Sequence, residues 1–201
     1  MVDLKAMEIP GYNPSKTNQA MPHQNADWPT SFPKSAIGLE RKGVITNEDS
    51  GEYLPGALEA IRNLRLKGYK IVLIMDESGR TEQAVNTQNQ RMMEDFGKAG
   101  IMSIDSMYYS IGTDKADPFV KPSTGMFKRC ENEFPAIKFK GGWYIGKNIN
   151  DAKAAFKIGS RGGLINPTEE TIKKLNSFAN QKIKKKTRIF KSLAEFEKTL
   201  K

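Results

Sequence analysis

The stretch PGALEAIRNLRLKGYKIVLIMDESG, residues 55–79, joins a helix to a strand and decides the fold class. Pro55 stands near the start of the helical pattern and Gly68 at its end, where these residue types are favoured. The apolar positions that share one helical face are Leu58, Ile61 and Leu64. The following YKIVLIM is almost continuously apolar, which is typical of a strand buried on both faces of a parallel sheet.

The same alternation of strand and helix continues on both sides of this stretch. The other predicted strands are AIGL before it, SIDSMYYS, GGWYIG and GGLIN after it, and RIF near the end as an edge strand. Strands alternating with helices at this spacing predict an α/β fold, an open and mostly parallel Rossmann-like sheet with helices on both faces. Ligands in such sheets bind at the carboxyl ends of the strands. The clusters expected to converge there are residues 40–43, 76–80, 121–124 and 146–151.

The first 34 residues have a different composition. They contain five Pro and many Asn, Gln, Ser and Thr, with no apolar period of strand or helix. This composition predicts an extended N-terminal arm at residues 1–34, followed by one α/β domain at residues 35–201. Tyr12, Trp28 and Phe32 are the expected anchors of this arm on a protein partner in a larger assembly.

Composition limits the cellular setting. The longest apolar run, Ile71 to Met75, is far shorter than the roughly 20 residues that span a bilayer, so no membrane partner is expected. The sequence begins without a cationic region followed by an apolar stretch, which argues against a secretory signal. Cys130 is the single cysteine and cannot form an internal disulfide. We therefore expect an intracellular, cytoplasmic protein or a component of a macromolecular assembly.

The net charge of +9 is concentrated near the C-terminus. Residues 182–191, KIKKKTRIFK, contain six basic and no acidic residues. One interpretation is a solvated loop before the last strand and helix; the other is salt-dependent binding of nucleic acid. The nucleic-acid candidates are Lys182, Lys184, Lys185, Lys186 and Arg188. Phe190 is the one aromatic residue in this segment.

The order of four motifs resembles a known family. The chain resembles the haloacid dehalogenase (HAD) superfamily, in its histidinol-phosphate and heptose-bisphosphate phosphatase branch. The motifs that carry the resemblance are LERKGVI, residues 55–79, VKPSTGM and YIGKNINDAKAAFKIG. The resemblance covers about residues 35–201, and KPSTGM is also similar to the 3′-phosphatase domain of polynucleotide kinase phosphatases. It implies a HAD-like sheet without a large cap domain, and a Mg²⁺-dependent phosphomonoesterase if activity is retained.

The resemblance implies a role for each motif. An Asp after the first strand attacks phosphorus, a second Asp two residues later moves the proton, and a hydroxyl and a Lys hold the phosphoryl oxygens. An acidic pair after the fourth strand helps to hold Mg²⁺. Four of these positions are changed here, so we assign no catalytic residue: they are Glu40, Lys42, Met75 and Lys147. Lys121 matches the phosphate-holding Lys, and Asp151 remains as a residual metal position.

These changes oppose catalysis. The longer Glu40 side chain would displace the attacking oxygen by roughly 1 to 1.5 Å, and a misplacement of about 1 Å can cost on the order of 100-fold in rate. Two carboxylates, Glu40 and Asp151, face three lysines, Lys42, Lys121 and Lys147. We expect the lysines to pair with the carboxylates and to repel a metal ion, so that no metal or other cofactor is bound.

Three functions remain open at this point. The favoured one is a catalytically inactive HAD phosphatase-like protein that acts as a structural or binding module. The second is metal-independent binding of phosphate or nucleic-acid ends in the former active-site crevice, by Lys42, Ser78, Gly79, Lys121 and Lys147. The third is an active phosphatase, acting on a sugar phosphate or a polynucleotide 3′-phosphate through Glu40 or Asp76.

Overall fold

A computed structural model of the chain describes residues 35–200, in which strands and helices alternate. The predicted N-terminal arm, with Tyr12, Trp28 and Phe32, lies outside the described residues. The strands are β1 (Ile37–Leu39), β2 (Ile71–Asp76), β3 (Ser106–Ser110), β4 (Trp143–Gly146), β5 (Arg161–Ile165) and β6 (Thr187–Phe190). The helices are α1 (Ala57–Leu66), α2 (Glu82–Lys98), α3 (Gly125–Glu133), α4 (Ile149–Lys157), α5 (Glu169–Asn176), α6 (Gln181–Lys184) and α7 (Leu193–Lys198).

All six strands form one parallel sheet in the order β3-β2-β1-β4-β5-β6. The short central strand β1 is flanked by β2 and β4, and Leu39 at its end pairs with Leu73 and with Ile145. This register brings the carboxyl ends of β1, β2 and β4 to the same edge of the sheet. The predicted open Rossmann-like α/β fold is confirmed.

The sheet has an apolar core on each face, because alternate residues of a strand point to opposite sides. In β2, Leu73 and Met75 join the core that α1, α2 and α7 cover, whereas Val72 and Ile74 join the core that α3 and α4 cover. Ile61 and Leu64 of α1 are fully buried, and each such side chain contributes about 1.5–3 kcal/mol. Helices therefore lie on both faces, as predicted.

Local signals explain several helix boundaries. Thr81 Oγ1 accepts a hydrogen bond from Ala84 N at 3.2 Å and caps α2. Asn148 caps α4, which begins at Ile149. Helix α5 ends at Asn176, and a 3-10 turn and the short helix α6 follow it. No helix within residues 35–200 is long and apolar enough to cross a membrane.

Candidate functional site

Three charged side chains meet below the carboxyl ends of β1 and β4. Lys121 Nζ forms an ion pair with Glu40 Oε2, and donates to Asp151 Oδ1 at 2.6 Å and to Tyr144 Oη at 2.8 Å. The side chains of Glu40, Lys121 and Asp151 are 6%, 1% and 1% exposed. We call these three residues the Lys121 triad. Its ammonium group has a partner for each of its three protons, so the triad is a closed, buried ion cluster.

Glu40 is held at both carboxylate oxygens. Oε1 accepts a hydrogen bond from Arg41 N at 2.8 Å, and Oε2 accepts one from Asp76 N at 3.0 Å in addition to the bond from Lys121. These donors come from the ends of β1 and β2 and from the loop before α3. The Glu40 carboxylate is therefore fixed from three directions.

Asp151 is fixed by the cap of α4. Asn148 Oδ1 accepts hydrogen bonds from Asn150 N at 2.8 Å and Asp151 N at 3.2 Å, and Asp151 Oδ2 accepts from Lys147 N at 2.9 Å and Asn148 N at 3.0 Å. This reciprocal arrangement is a capping box. A Cβ atom on Gly146 would overlap the Cβ and Cγ atoms of Asp151, so glycine is required there.

Burial and neighbouring charge set the protonation of the triad. Burial raises the pKa of Glu40 to about 7, with Lys121 opposing the shift and Asp151 adding to it. Burial alone would lower the pKa of Lys121, but Asp151 and Glu40 raise it well above its ordinary value. Lys121 therefore keeps its proton, and Glu40 takes up a proton near neutral pH.

A second buried cluster lies beside the triad. Arg41 is fully buried and bonds Glu77 Oε1 and, at 2.6 Å, Asn89 Oδ1. Glu77 Oε2 pairs with Lys42 Nζ at 3.1 Å and Arg80 Nη1 at 3.0 Å. Burial would raise the pKa of Glu77, but the three cations together lower it below the ordinary value. Sequence reasoning missed this cluster; its signal was a carboxylate just after β2 opposite two cations just after β1.

Two of the predicted lysine pairings are wrong. Lys42 pairs with Glu77, and Lys147 Nζ pairs with Glu48 Oε2 at 2.9 Å. Of the three lysines, Lys121 alone contacts the carboxylates of the triad, and it fills the space between them. The count of charges made from the sequence left out Glu48 and Glu77, which neutralise the other two lysines.

The remaining predicted positions lie at the end of β2. Met75 is fully buried in the apolar core, so its side chain offers no polar group to a ligand. Ser78 Oγ donates to Gly112 O at 2.8 Å and bonds Asp76 Oδ1, which also accepts from Ser78 N at 3.1 Å. Gly79 has φ of +78°, a backbone conformation that favours glycine. The anion-binding role of Ser78 and Gly79 stays a prediction.

These residues do not fit a magnesium ion. Mg²⁺ requires near-octahedral oxygen ligands, of which one or two are carboxylates. Glu40 and Asp151 are the acidic side chains of the triad, and an ammonium group bonded to both stands between them. Within residues 35–200, no group of three or more His, Cys, Asp or Glu residues is placed to hold a metal ion.

Solved structures with the same fold are known. No family model and no curated protein matches the chain. The structure is similar to D,D-heptose 1,7-bisphosphate phosphatase from B. bronchiseptica, complexed with magnesium and phosphate: TM-score 0.71, 20% identity, 83% of this chain and 97% of that one. The enzyme of the same name from Burkholderia thailandensis gives TM-score 0.60, 22% identity and the same shares. A third similar structure is that of a putative HAD-like phosphatase from Mesorhizobium loti. Its TM-score is 0.55 at 21% identity, and the match covers 67% of this chain and 73% of that one.

Proposed function

Since the chain has the fold of the haloacid dehalogenase superfamily, we propose that it is a catalytically inactive, phosphatase-like protein that serves as a structural or binding module. One observation carries the proposal. The carboxylates left at the strand ends, Glu40 and Asp151, are buried and held by Lys121, and the structure places no third acidic residue of the described chain with them.

The position of the nucleophile supports inactivity. An attacking oxygen must approach phosphorus in line and without a competing partner. The Glu40 side chain is 6% exposed, and both its oxygens already accept hydrogen bonds. Attack by Glu40 would require breaking its ion pair with Lys121 and leaving that ammonium with Asp151 as its one carboxylate partner.

Proton transfer also lacks a suitable group. The acid/base position holds Lys42, whose ammonium pairs with Glu77. An ammonium held by a carboxylate keeps its proton, because the neighbouring charge favours the protonated form. Lys42 therefore does not supply the carboxylic acid that a leaving group needs. Asp76, the alternative nucleophile, directs Oδ1 to Ser78.

Metal-independent binding of phosphate in the crevice has less support. This function requires cations that are available to an anion, yet Lys42, Lys121 and Lys147 are each paired with a carboxylate. A bound phosphate would have to compete with these carboxylates. The proposal of an inactive module therefore stands ahead of it.

Phosphate release from a panel of sugar phosphates and 3′-phosphorylated oligonucleotides, with and without Mg²⁺, tests inactivity. We expect no release by the natural protein. The matched variant carries Glu40→Asp, Lys42→Asp, Met75→Thr and Lys147→Asp, and activity in it would show that only the chemical groups are missing. Mg²⁺-dependent release by the natural protein would overturn the proposal.

The module function places the partner contact on the N-terminal arm. We expect Tyr12→Ala, Trp28→Ala and Phe32→Ala together to prevent incorporation into the native assembly. The melting temperature of the α/β domain should be unchanged. Sedimentation of the assembly from its natural source would measure this, and unchanged incorporation of the triple variant would contradict the assignment to the arm.

A further inference from the structure

The end of the domain carries a strongly cationic surface. Residues 173–191 contain eight Lys or Arg residues and no Asp or Glu, and all eight side chains are exposed. We call this the basic surface; its cations are Lys173, Lys174, Lys182, Lys184, Lys185, Lys186, Arg188 and Lys191. Lys174 pairs with Glu170 at 2.5 Å. The residues before the last strand form a short helix, α6, and the predicted edge strand RIF is present as β6.

An exposed aromatic side chain lies between the basic residues in the sequence. Phe178 is 96% exposed, more than any other large apolar side chain of residues 35–200. Phe190, the aromatic residue that the sequence places in the basic segment, is instead buried in the core. Its ring centroid lies 6.1 Å from that of Trp143 and 5.4 Å from that of Phe196. The aromatic group available to a ligand is therefore Phe178.

Hydrogen bonds fix the turn that presents Phe178. Asn180 Nδ2 and Ser177 Oγ both donate to Lys174 O at 2.8 Å, and Gln181 Nε2 donates to Asn176 O at 2.9 Å. These bonds close the end of α5 and set the 3-10 turn in place. Phe178 is thus held outward by local structure.

Buried anchors on either side hold the turn against the domain. Leu175 and the partly buried Ile183 belong to the apolar cluster formed with Ala152 and Leu164. A large aromatic side chain that is exposed between two such anchors does not contribute the free energy that its burial would supply. A cation on an edge strand, here Arg188 of β6, also opposes pairing between sheets, but that role does not account for an exposed Phe178.

We propose that the basic surface binds single-stranded nucleic acid, with the lysines contacting phosphates and Phe178 stacking on a base. Several basic side chains in a segment that has no acidic residue supply affinity for a phosphate backbone. A fixed aromatic ring supplies stacking, and a single strand exposes the base faces that a duplex conceals. A membrane would require a broader apolar face than Phe178 and the 49% exposed Ile189 provide. The proposal does not depend on whether the crevice is catalytic.

The salt dependence of binding tests the lysine contacts. Fluorescence anisotropy would follow labelled single-stranded DNA and RNA of about 20 nucleotides over a range of salt concentrations. Lys182→Ala, Lys185→Ala and Lys186→Ala together should reduce the slope of log affinity against log salt by about 2, at about 0.7 per contact. The matched control removes three exposed lysines elsewhere, Lys115, Lys128 and Lys138, and should leave the slope unchanged.

Phe178→Ala tests the stacking. Single-strand affinity should fall about 5- to 150-fold, whereas duplex affinity should change less than about twofold. Phe178→Trp should retain binding, and both variants should fold, because the Phe178 side chain is almost fully exposed. Three results would each overturn the proposal. They are an equal loss of salt dependence in both lysine triple variants, no effect of Phe178→Ala on single-strand affinity, and tighter binding to anionic lipid vesicles than to a single strand.

Discussion

Replacing Glu40 with Gln should remove a large part of the pH dependence of stability. Burial raises the pKa of Glu40 from 4.5 to about 7. Between these values the folded protein holds a proton that the unfolded chain releases, so the free energy of unfolding falls as pH rises. The decrease in the free energy of unfolding begins near pH 4.5 and is complete above pH 7.

The magnitude follows from the size of the shift. One pKa unit corresponds to about 1.36 kcal/mol, so raising the pKa to about 7 removes about 3 kcal/mol of stability between pH 4.5 and pH 7. Gln cannot titrate, and the variant should lack this decline. Gln also has one acceptor oxygen where Glu40 has two, which adds a constant loss of about 1–3 kcal/mol at every pH.

Urea unfolding followed by circular dichroism at several pH values would measure the effect. The difference in stability between the natural protein and Glu40→Gln should change by about 3 kcal/mol across this range. Glu59→Gln, at an exposed position of α1, is the control and should parallel the natural protein. A difference that stays constant within about 0.5 kcal/mol would refute the reasoning about burial of Glu40.

Other substitutions probe the buried clusters. Lys121→Met should lower the free energy of unfolding by about 3–5 kcal/mol, because two buried carboxylates lose their shared cation. Lys128→Met, at an exposed position, is the control and should change it by less than about 0.5 kcal/mol. Equal effects of the two substitutions in urea unfolding would contradict the role of Lys121 in the triad. Arg41→Met should cost about 3 kcal/mol, whereas Lys42→Met, at a side chain 32% exposed, should cost about 1 kcal/mol or less. A ligand that binds the folded state would raise the melting temperature. Millimolar Mg²⁺ should leave it unchanged, because the site does not fit this ion.

The sequence was sufficient to predict the sheet and the place of the site. The apolar run of β2 and each of the four motifs consist of residues close together in the chain. Their agreement with the six-stranded parallel sheet is therefore understandable. Glu40, Lys121 and Asp151 meet as expected, because parallel strands end at one edge of the sheet.

The partners of individual side chains were harder to predict. Lys42 pairs with Glu77 and Lys147 pairs with Glu48, and neither pairs with the carboxylates of the triad. These pairings depend on the path of the loops after β1 and β4. The sequence gives no sign that Phe178 is exposed, since a single Phe beside Leu175 is compatible with burial. Such details depend on distances of a few ångströms, which local sequence patterns do not determine.

Phosphate release by the natural protein and by Glu40→Gln should be compared side by side at high protein concentration, with and without Mg²⁺. Any contaminating phosphatase would act equally in both preparations. If the fold is an inactive module, the two rates will be the same, for sugar phosphates and for 3′-phosphorylated oligonucleotides alike. Release that requires Mg²⁺ and disappears in Glu40→Gln would show that Glu40 attacks phosphorus and that the protein is a working phosphatase.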